Sequence, residues 1–135
     1  MRYNRAATVM NPLGPINNLP EVLRTALKRP VTVVEGERQI ALIVSVTFFE
    51  KIGGNSERLG VEYLGEDALS RHEVGSGTPD ERSQRLGELI MRSAKAKTFE
   101  PLLVNGQPVA VVVPPPIDRD TSEPPEGPWI RVLPL

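Results

Sequence analysis

Leu19–Val46 reads LPEVLRTALKR followed by PVTVVEGERQIALIVSV. Asn18 can cap a helix here, and Pro30 ends it because the residue before a proline avoids helical geometry. Two runs rich in β-branched residues, Val31–Val34 and Ile40–Val46, then flank a polar loop, and this pattern predicts a β-hairpin. The helix would bury one stripe of apolar residues spaced three and four positions apart, namely Leu19, Val22, Leu23, Ala26 and Leu27.

A short helix is predicted after this hairpin, over Thr47–Ile52, with Thr47 as its cap. A similar stretch then returns at Leu86–Val113, which reads LGELIMRSAKAK followed by TFEPLLVNGQPVAVVV. Its helix is expected to begin at Thr78, a capping residue followed by proline and two acidic residues. Asn105-Gly106 favours a two-residue type I′ turn in the second hairpin.

The two stretches align as a repeat. A shift of 67 positions places Leu19 on Leu86, and a further three positions place Gly36 on Gly106. Two explanations remain open at this point. Any two helix–hairpin units share such patterning, or the chain contains a tandem duplication in which each small unit needs the other to complete a core.

Four segments follow from this organisation. They are a first unit at 1–54, an acidic connector at 55–77, a second unit at 78–113 and a proline-rich tail at 114–135. In the lead-in, Ala6–Met10 is a strand candidate, and Pro12 and Pro15 permit only a single helical turn or a 3₁₀ piece afterwards. Val61–Leu64 is a candidate strand that the connector could supply to the second unit. The tail is predicted to be extended, because proline-rich chains do not form helices.

Composition excludes several classes of function. The formal net charge is -1, so no global basic field attracts nucleic acid or an anionic membrane. The chain contains no cysteine, which excludes disulfides, thiol catalysis and thiolate metal sites. No apolar run approaches the roughly 20 residues of a membrane helix, and the first residues lack the apolar core of a signal peptide. We therefore expect a cytoplasmic protein without a membrane partner.

The second stretch resembles the Phd/YefM (prevent-host-death) antitoxin family. The matching motifs are an L-x-E-L helix at Leu86–Leu89, an N-G-x-P turn at Asn105–Pro108 and an apolar strand that begins with Val109-Ala110. The preceding PDERSQRL resembles the helix start of the family, and Asn17–Ile52 is similar in the same way. The resemblance implies an α+β dimerisation fold that binds operator DNA through its N-terminal parts and a partner toxin through its C-terminal segment.

The resemblance also implies which residues would face DNA. In the second unit they are the residues of Glu81–Arg85, which include Arg82 and Arg85. The matching segment of the first unit, Leu13–Asn18, has no basic residue, and the tail is proline-rich where the family has a helix. The full set of DNA-binding candidates comprises Arg2, Arg5, Arg24, Lys28, Arg82 and Arg85. The alternative for each is a solvated helix face.

Four apolar residues are candidates for binding a protein partner, because aromatic anchors dominate interfaces: Phe48, Phe49, Trp129 and Ile130. Core packing of the two phenylalanines and docking of the tail on its own domain are the alternatives. His72 is the only histidine, and the sequence shows no base or ligand beside it. Gly75–Gly77 lacks the lysine of a phosphate loop. No catalytic residue, metal ligand or cofactor site is predicted, and we do not expect an enzyme.

The sequence thus predicts an α+β fold of two Phd-like helix–hairpin units. They would pack as a pseudo-dimer around an antiparallel sheet, in a monomer or a homodimer, with an extended tail. The first functional hypothesis is an antitoxin-like, DNA-binding transcriptional repressor that also binds a protein partner such as a toxin. The second is a non-catalytic protein–protein interaction module, an adaptor or inhibitor, that has lost DNA binding. An unrelated swapped-hairpin transcription factor is a third possibility.

Overall fold

The computed structural model describes residues 11–36, 38–114 and 128–132. These residues form a six-stranded mixed sheet with five α-helices and one 3₁₀ turn, which confirms the α+β class. The strands are β1 (Asn11–Pro15), β2 (Val31–Glu35), β3 (Arg38–Ser45), β4 (Glu100–Val104), β5 (Gln107–Val113) and β6 (Pro128–Arg131). The helices are α1 (Leu19–Ala26), α2 (Val46–Lys51), α3 (Val61–Leu64), α4 (Ala68–Arg71) and α5 (Pro79–Ala96), and the 3₁₀ turn is Ser56–Arg58.

The sheet is mixed rather than wholly antiparallel, contrary to the prediction. Its strand order is β1-β6-β2-β3-β5-β4. The two hairpins, β2-β3 and β4-β5, are antiparallel and lie side by side through an antiparallel β3-β5 pairing. β6 comes from the tail and inserts between β1 and β2, parallel to both. The described part of the tail is extended, as predicted. It also forms a strand of the sheet, in which the Ile130 side chain is fully buried.

The lead-in also differs from expectation. Asn11–Pro15 forms strand β1, where the prolines had predicted a single turn. Pro12 and Pro15 fit a strand because β1 lies at the edge of the sheet and needs hydrogen bonds on one side only. The strand candidate Ala6–Met10 lies outside the described residues.

The helix boundaries follow local sequence signals closely. α1 begins at Leu19 as predicted, although the Asn18 side chain donates a hydrogen bond to Leu13 O (3.1 Å) and does not cap the helix. α2 begins at Val46, one residue before the predicted start. Its cap is Ser45 and not Thr47, because Ser45 Oγ accepts the Phe48 N–H at 3.0 Å. α5 has the predicted cap in full: Thr78 Oγ1 accepts the Glu81 N–H, and Glu81 Oε1 accepts the Thr78 N–H.

The connector folds as helical turns, so the predicted strand at Val61–Leu64 is wrong. These four residues form α3, which begins after Gly60 and ends at Gly65 with a positive φ of 92°. The connector does contribute to the sheet, but through Glu73, which makes an isolated parallel bridge to Leu103 on β4. None of the helices in the described ranges combines the length and apolar character needed to cross a membrane.

The core lies on both faces of the sheet. α1 and α5 cover one face, and their buried side chains include Leu19, Val22, Leu86, Leu89 and Ile90. Leu27, which was predicted to belong to the buried stripe of α1, is exposed because the helix ends at Ala26. The other face carries a smaller cluster, in which Phe49 of α2 and Leu59 pack on Val44, Val111 and Val113. The larger cluster joins both hairpins and β6, so the two sequence units share one core.

The two hairpins have the same register. Each residue of the first has its counterpart 69 positions later, as Ala41 and Ala110 illustrate. Both hairpins shift register by one residue at equivalent points, between Val33 and Val34 and between Leu102 and Leu103. Gly36 therefore corresponds to Asn105, not to Gly106, and both have positive φ (64° and 54°). The helices align at the shift of 67, two positions less than the hairpins. α5 nevertheless continues to Ala96, so three residues separate it from β4, whereas four separate α1 from β2.

Candidate functional site

The outer edge of β4 is closed by a segment of the connector. Leu103 N–H donates to His72 O at 2.9 Å, and Val74 N–H donates to Leu103 O at 2.8 Å. Pro101 has no N–H, and its carbonyl accepts a hydrogen bond from His72 Nδ1 at 2.9 Å. These bonds occupy the backbone groups of Pro101 and Leu103 that point away from β5. This edge is therefore not open to an added strand.

The Glu73 carboxylate fixes the turn of the second hairpin. Its side chain is buried, and it accepts N–H groups from Gly75 (3.0 Å), Asn105 (2.8 Å) and Gly106 (2.8 Å). Asn105 and Gly106 both have positive φ, as the predicted type I′ turn requires. The local turn chemistry and a distant carboxylate therefore specify the same geometry. Hydrogen bonds to a charged acceptor are the stronger kind, so this contact anchors the connector to the sheet.

Arg85 belongs to this same structural cluster. Its guanidinium Nη1 donates hydrogen bonds to the backbone carbonyls of Glu73 and Ser76. The neighbouring Arg82 is half-buried, and its buried Nε has no hydrogen-bond partner among the described residues. The sequence proposed both arginines as DNA contacts. The structure gives Arg85 an internal role, which leaves fewer of its N–H groups for a phosphate.

The other DNA-binding candidates lie on or just beyond α1, or outside the described residues. Arg24 is 66% exposed and forms an ion pair with Glu21 at 2.6 Å, one turn earlier on α1. Lys28 is exposed just beyond the end of α1. Arg2 and Arg5 lie outside the described residues. The exposed cations of α1 and the arginines of α5 thus sit on different helices.

His72 has partners that the sequence did not reveal. Its Nε2 lies 3.9 Å from Oε1 of the buried Glu100, and Arg92 Nη1 approaches the same oxygen at 3.7 Å. Glu100 also accepts a hydrogen bond from the Thr98 hydroxyl at 2.6 Å. Burial lowers the pKa of His72 from its usual 6.5, although the hydrogen bond to Pro101 and the Glu100 charge act in the opposite direction. The lowered pKa favours the neutral ring, in which Nδ1–H donates to the Pro101 carbonyl at the sheet edge.

The four candidates for partner binding differ in exposure. Phe49 and Ile130 are buried in the protein's own core, so the structure does not present them to a partner. Phe48 and Trp129 are half-buried, and the Arg131 guanidinium lies 5.4 Å from the centre of the Trp129 ring. Trp129 therefore follows the alternative given in the sequence analysis, in which the tail docks on its own domain.

Two exposed apolar residues that the sequence did not single out lie next to Phe49, one in space and one along the chain. Phe99 is 56% exposed, and its ring meets the Phe49 ring edge-on with centroids 5.0 Å apart. Ile52, also 56% exposed, lies one helical turn after Phe48 and Phe49. We call Phe48, Ile52 and Phe99 the Phe49 patch. The sequence did contain a signal that Phe99 is exposed. It is a large apolar residue between the end of a helix and the start of a strand, and it belongs to the apolar pattern of neither element.

A cleft of about 820 Å³ opens between the connector and the second hairpin. We call it the connector cleft. Its lining includes two exposed carboxylates, Glu57 and Glu62, together with the buried Glu73, and none of the described lining residues is Lys, Arg or His. The remaining lining residues are Ser56, Gly60, Val61, Leu69, Ser76, Asn105, Gly106, Gln107 and Pro108. Within the described residues, no group of three or more His, Cys, Asp or Glu side chains could hold a metal ion.

Comparisons with protein-family models, curated proteins and solved structures found no match to this chain. The resemblance to the Phd/YefM family therefore rests on the sequence motifs alone.

Proposed function

We propose that this protein is a non-catalytic protein–protein interaction module, built on two Phd-like helix–hairpin units. The observation that carries the proposal is the Phe49 patch. Phe99 exposes more than half of its surface where it contacts the buried Phe49 ring, and Ile52, one helical turn after Phe49, is equally exposed. Aromatic and large aliphatic side chains on a rigid base are the typical anchors of protein interfaces.

The sheet supports the two-unit origin. In the β3-β5 pairing, Ile43 faces Val112, its own counterpart at the offset of 69 residues. The pairs on either side, Leu42 with Val113 and Val44 with Val111, exchange with each other under the same offset. A two-fold axis between Ile43 and Val112 would produce this register. We interpret it as a tandem duplication that forms a pseudo-dimer within one chain, for which light scattering should report a monomer.

The intramolecular contacts of Arg85 and Arg24 favour this function over DNA binding. Arg85 holds the carbonyls of Glu73 and Ser76, and Arg24 pairs with Glu21. Phosphate contacts need cations that are free to reach the DNA backbone. The interaction module requires no such residues, and its exposed anchors already rest on the core.

The test uses the full chain and two matched sets of variants. Partners recovered from cells of the native host are identified by mass spectrometry, and the purified pair is measured by calorimetry. The double variant Ile52→Ser/Phe99→Ser should weaken binding by at least about tenfold, because burying each side chain is worth about 1.5–3 kcal/mol. Leu27→Ser is the control, since Leu27 is equally exposed (57%) but lies at the end of α1. Equal affinity of the double variant and the wild type would refute the proposal.

A DNA-binding, antitoxin-like repressor is the second candidate function. The observation in its favour is that Lys28 and Lys95, which correspond at the helix offset of 67, are both exposed. A gel shift with the gene's own upstream DNA at two salt concentrations tests it. Specific binding that weakens with salt and is lost in Lys28→Ala/Lys95→Ala would favour the repressor. No shift at either salt concentration would favour the interaction module.

A further inference from the structure

We infer that the connector cleft is a second docking surface, which takes an extended protein segment carrying basic residues on either side of an aliphatic one. The cleft lies on the connector and the second hairpin turn, whereas the Phe49 patch is built on α2 and Phe99. The inference therefore goes beyond the proposed function and stands on different residues.

The charge of the cleft selects the partner. Glu57 and Glu62 are exposed lining residues, and neither carboxylate forms a hydrogen bond or ion pair in the part of the chain that the structure describes. Arg58, the nearest cation in sequence, lies over the Tyr63 ring at 5.7 Å and is not a lining residue. Two unpaired carboxylates without a lining cation repel nucleic acid and acidic proteins and attract Lys or Arg side chains.

The apolar residues that line the cleft favour an aliphatic side chain between the two basic residues of the partner segment. Leu69 is 44% exposed, and it lies against Gly106, where an added Cβ would meet Leu69 Cδ2 at 3.7 Å. Val61 and Pro108 line the same cleft. An aliphatic side chain that covers Leu69 would remove this exposed apolar area from water. A short segment with the pattern basic–aliphatic–basic fits both features.

The walls of the cleft are held in place before any partner arrives. The Glu73 carboxylate fixes Asn105 and Gly106, which line the cleft. The backbone groups of Leu103 on the adjacent edge are already bonded to the connector. The segment would therefore bind through its side chains and not by adding a strand, and the cleft would lose little conformational entropy on binding.

The experiment is a titration of the ¹⁵N-labelled full chain with the acetylated, amidated pentapeptide Gly-Lys-Leu-Lys-Gly, followed by NMR. Amide shifts should concentrate on Gly60, Leu69 and Gly106, and they should shrink as salt is added. The double variant Glu57→Gln/Glu62→Gln should weaken binding by about fivefold, since each exposed ion pair contributes a few tenths of a kcal/mol to about 1 kcal/mol.

Two controls make the result decisive. The variant Glu66→Gln/Asp67→Asn removes the same charge from exposed connector residues outside the cleft lining, and it should bind like the wild type. A peptide with Glu in place of both Lys residues should not bind. The inference is overturned if the shifts lie elsewhere or do not occur, if the Glu peptide binds equally, or if both double variants weaken binding to the same extent. Each of these outcomes leaves the Phe49 patch and its own test unaffected.

Discussion

Replacing Glu73 with glutamine should destabilise the fold although the two side chains have almost the same shape. The carboxylate accepts three N–H groups, two on Oε2 and one on Oε1. Glutamine offers a single oxygen, and its NH₂ group would point at one or two N–H donors. Each lost hydrogen bond to a charged group is worth about 1.5–3 kcal/mol, so Glu73→Gln should cost about 2–4 kcal/mol.

Urea denaturation followed by circular dichroism measures this cost as a change in the midpoint at constant slope. Hydrogen exchange should show faster exchange at the amides of Asn105 and Gly106, which donate to the carboxylate. Glu66→Gln is the control, because Glu66 is exposed, and it should change the free energy of unfolding by less than about 0.5 kcal/mol. A loss below about 0.5 kcal/mol in Glu73→Gln would show that the carboxylate does not anchor the connector.

Three further predictions follow from the same contacts. Arg85→Ala should lower the free energy of unfolding by about 1.5–3 kcal/mol in urea denaturation, because the partly buried hydrogen bond from Arg85 to the Glu73 carbonyl is lost. Unchanged stability together with lost DNA binding would contradict the structural role of Arg85. Because the pKa of His72 is lowered in the folded protein, the unfolded chain takes up this proton first as the pH falls below 6.5. The contribution of His72 to stability is therefore retained above that pH and declines below it. His72→Gln should flatten this decline in thermal melts at pH 5 to 8. Gly54→Ala should cost about 1–3 kcal/mol, since its Cβ would lie 2.3 Å from Phe49 Cε2, whereas Gly60→Ala meets no atom within 4 Å and should melt near the wild type.

The candidate surfaces were only partly predictable. The sequence selected Phe48, which belongs to the Phe49 patch. Phe99 belongs to a different unit and reaches Phe49 only because α2 packs on β3 and β5 in the folded chain. The acidic character of the connector was visible from composition. Its cleft was not, because Leu69 and Pro108 are 39 positions apart and meet only in the folded chain.

The sequence by itself determined the features that depend on a few neighbouring residues. Thr78 and Glu81 specified the start of α5, and Asn105-Gly106 specified a tight turn, because capping and positive φ are local properties of those side chains. The apolar spacing of the first helix likewise determined the buried face of α1 as far as Ala26, whereas Leu27 beyond the helix end is exposed.

Only the tertiary structure decided what the remaining segments do. A proline-bearing lead-in became edge strand β1, and four tail residues became β6 between β1 and β2, because the parallel pairings join residues 97 to 117 positions apart. Arg85, a basic residue at a helix start, became an internal hydrogen-bond donor for the same reason. Its acceptors are carbonyls of the connector, and no local pattern places them beside it. Helix–hairpin units can be read from spacing, whereas the way they share a sheet depends on contacts between distant parts of the chain.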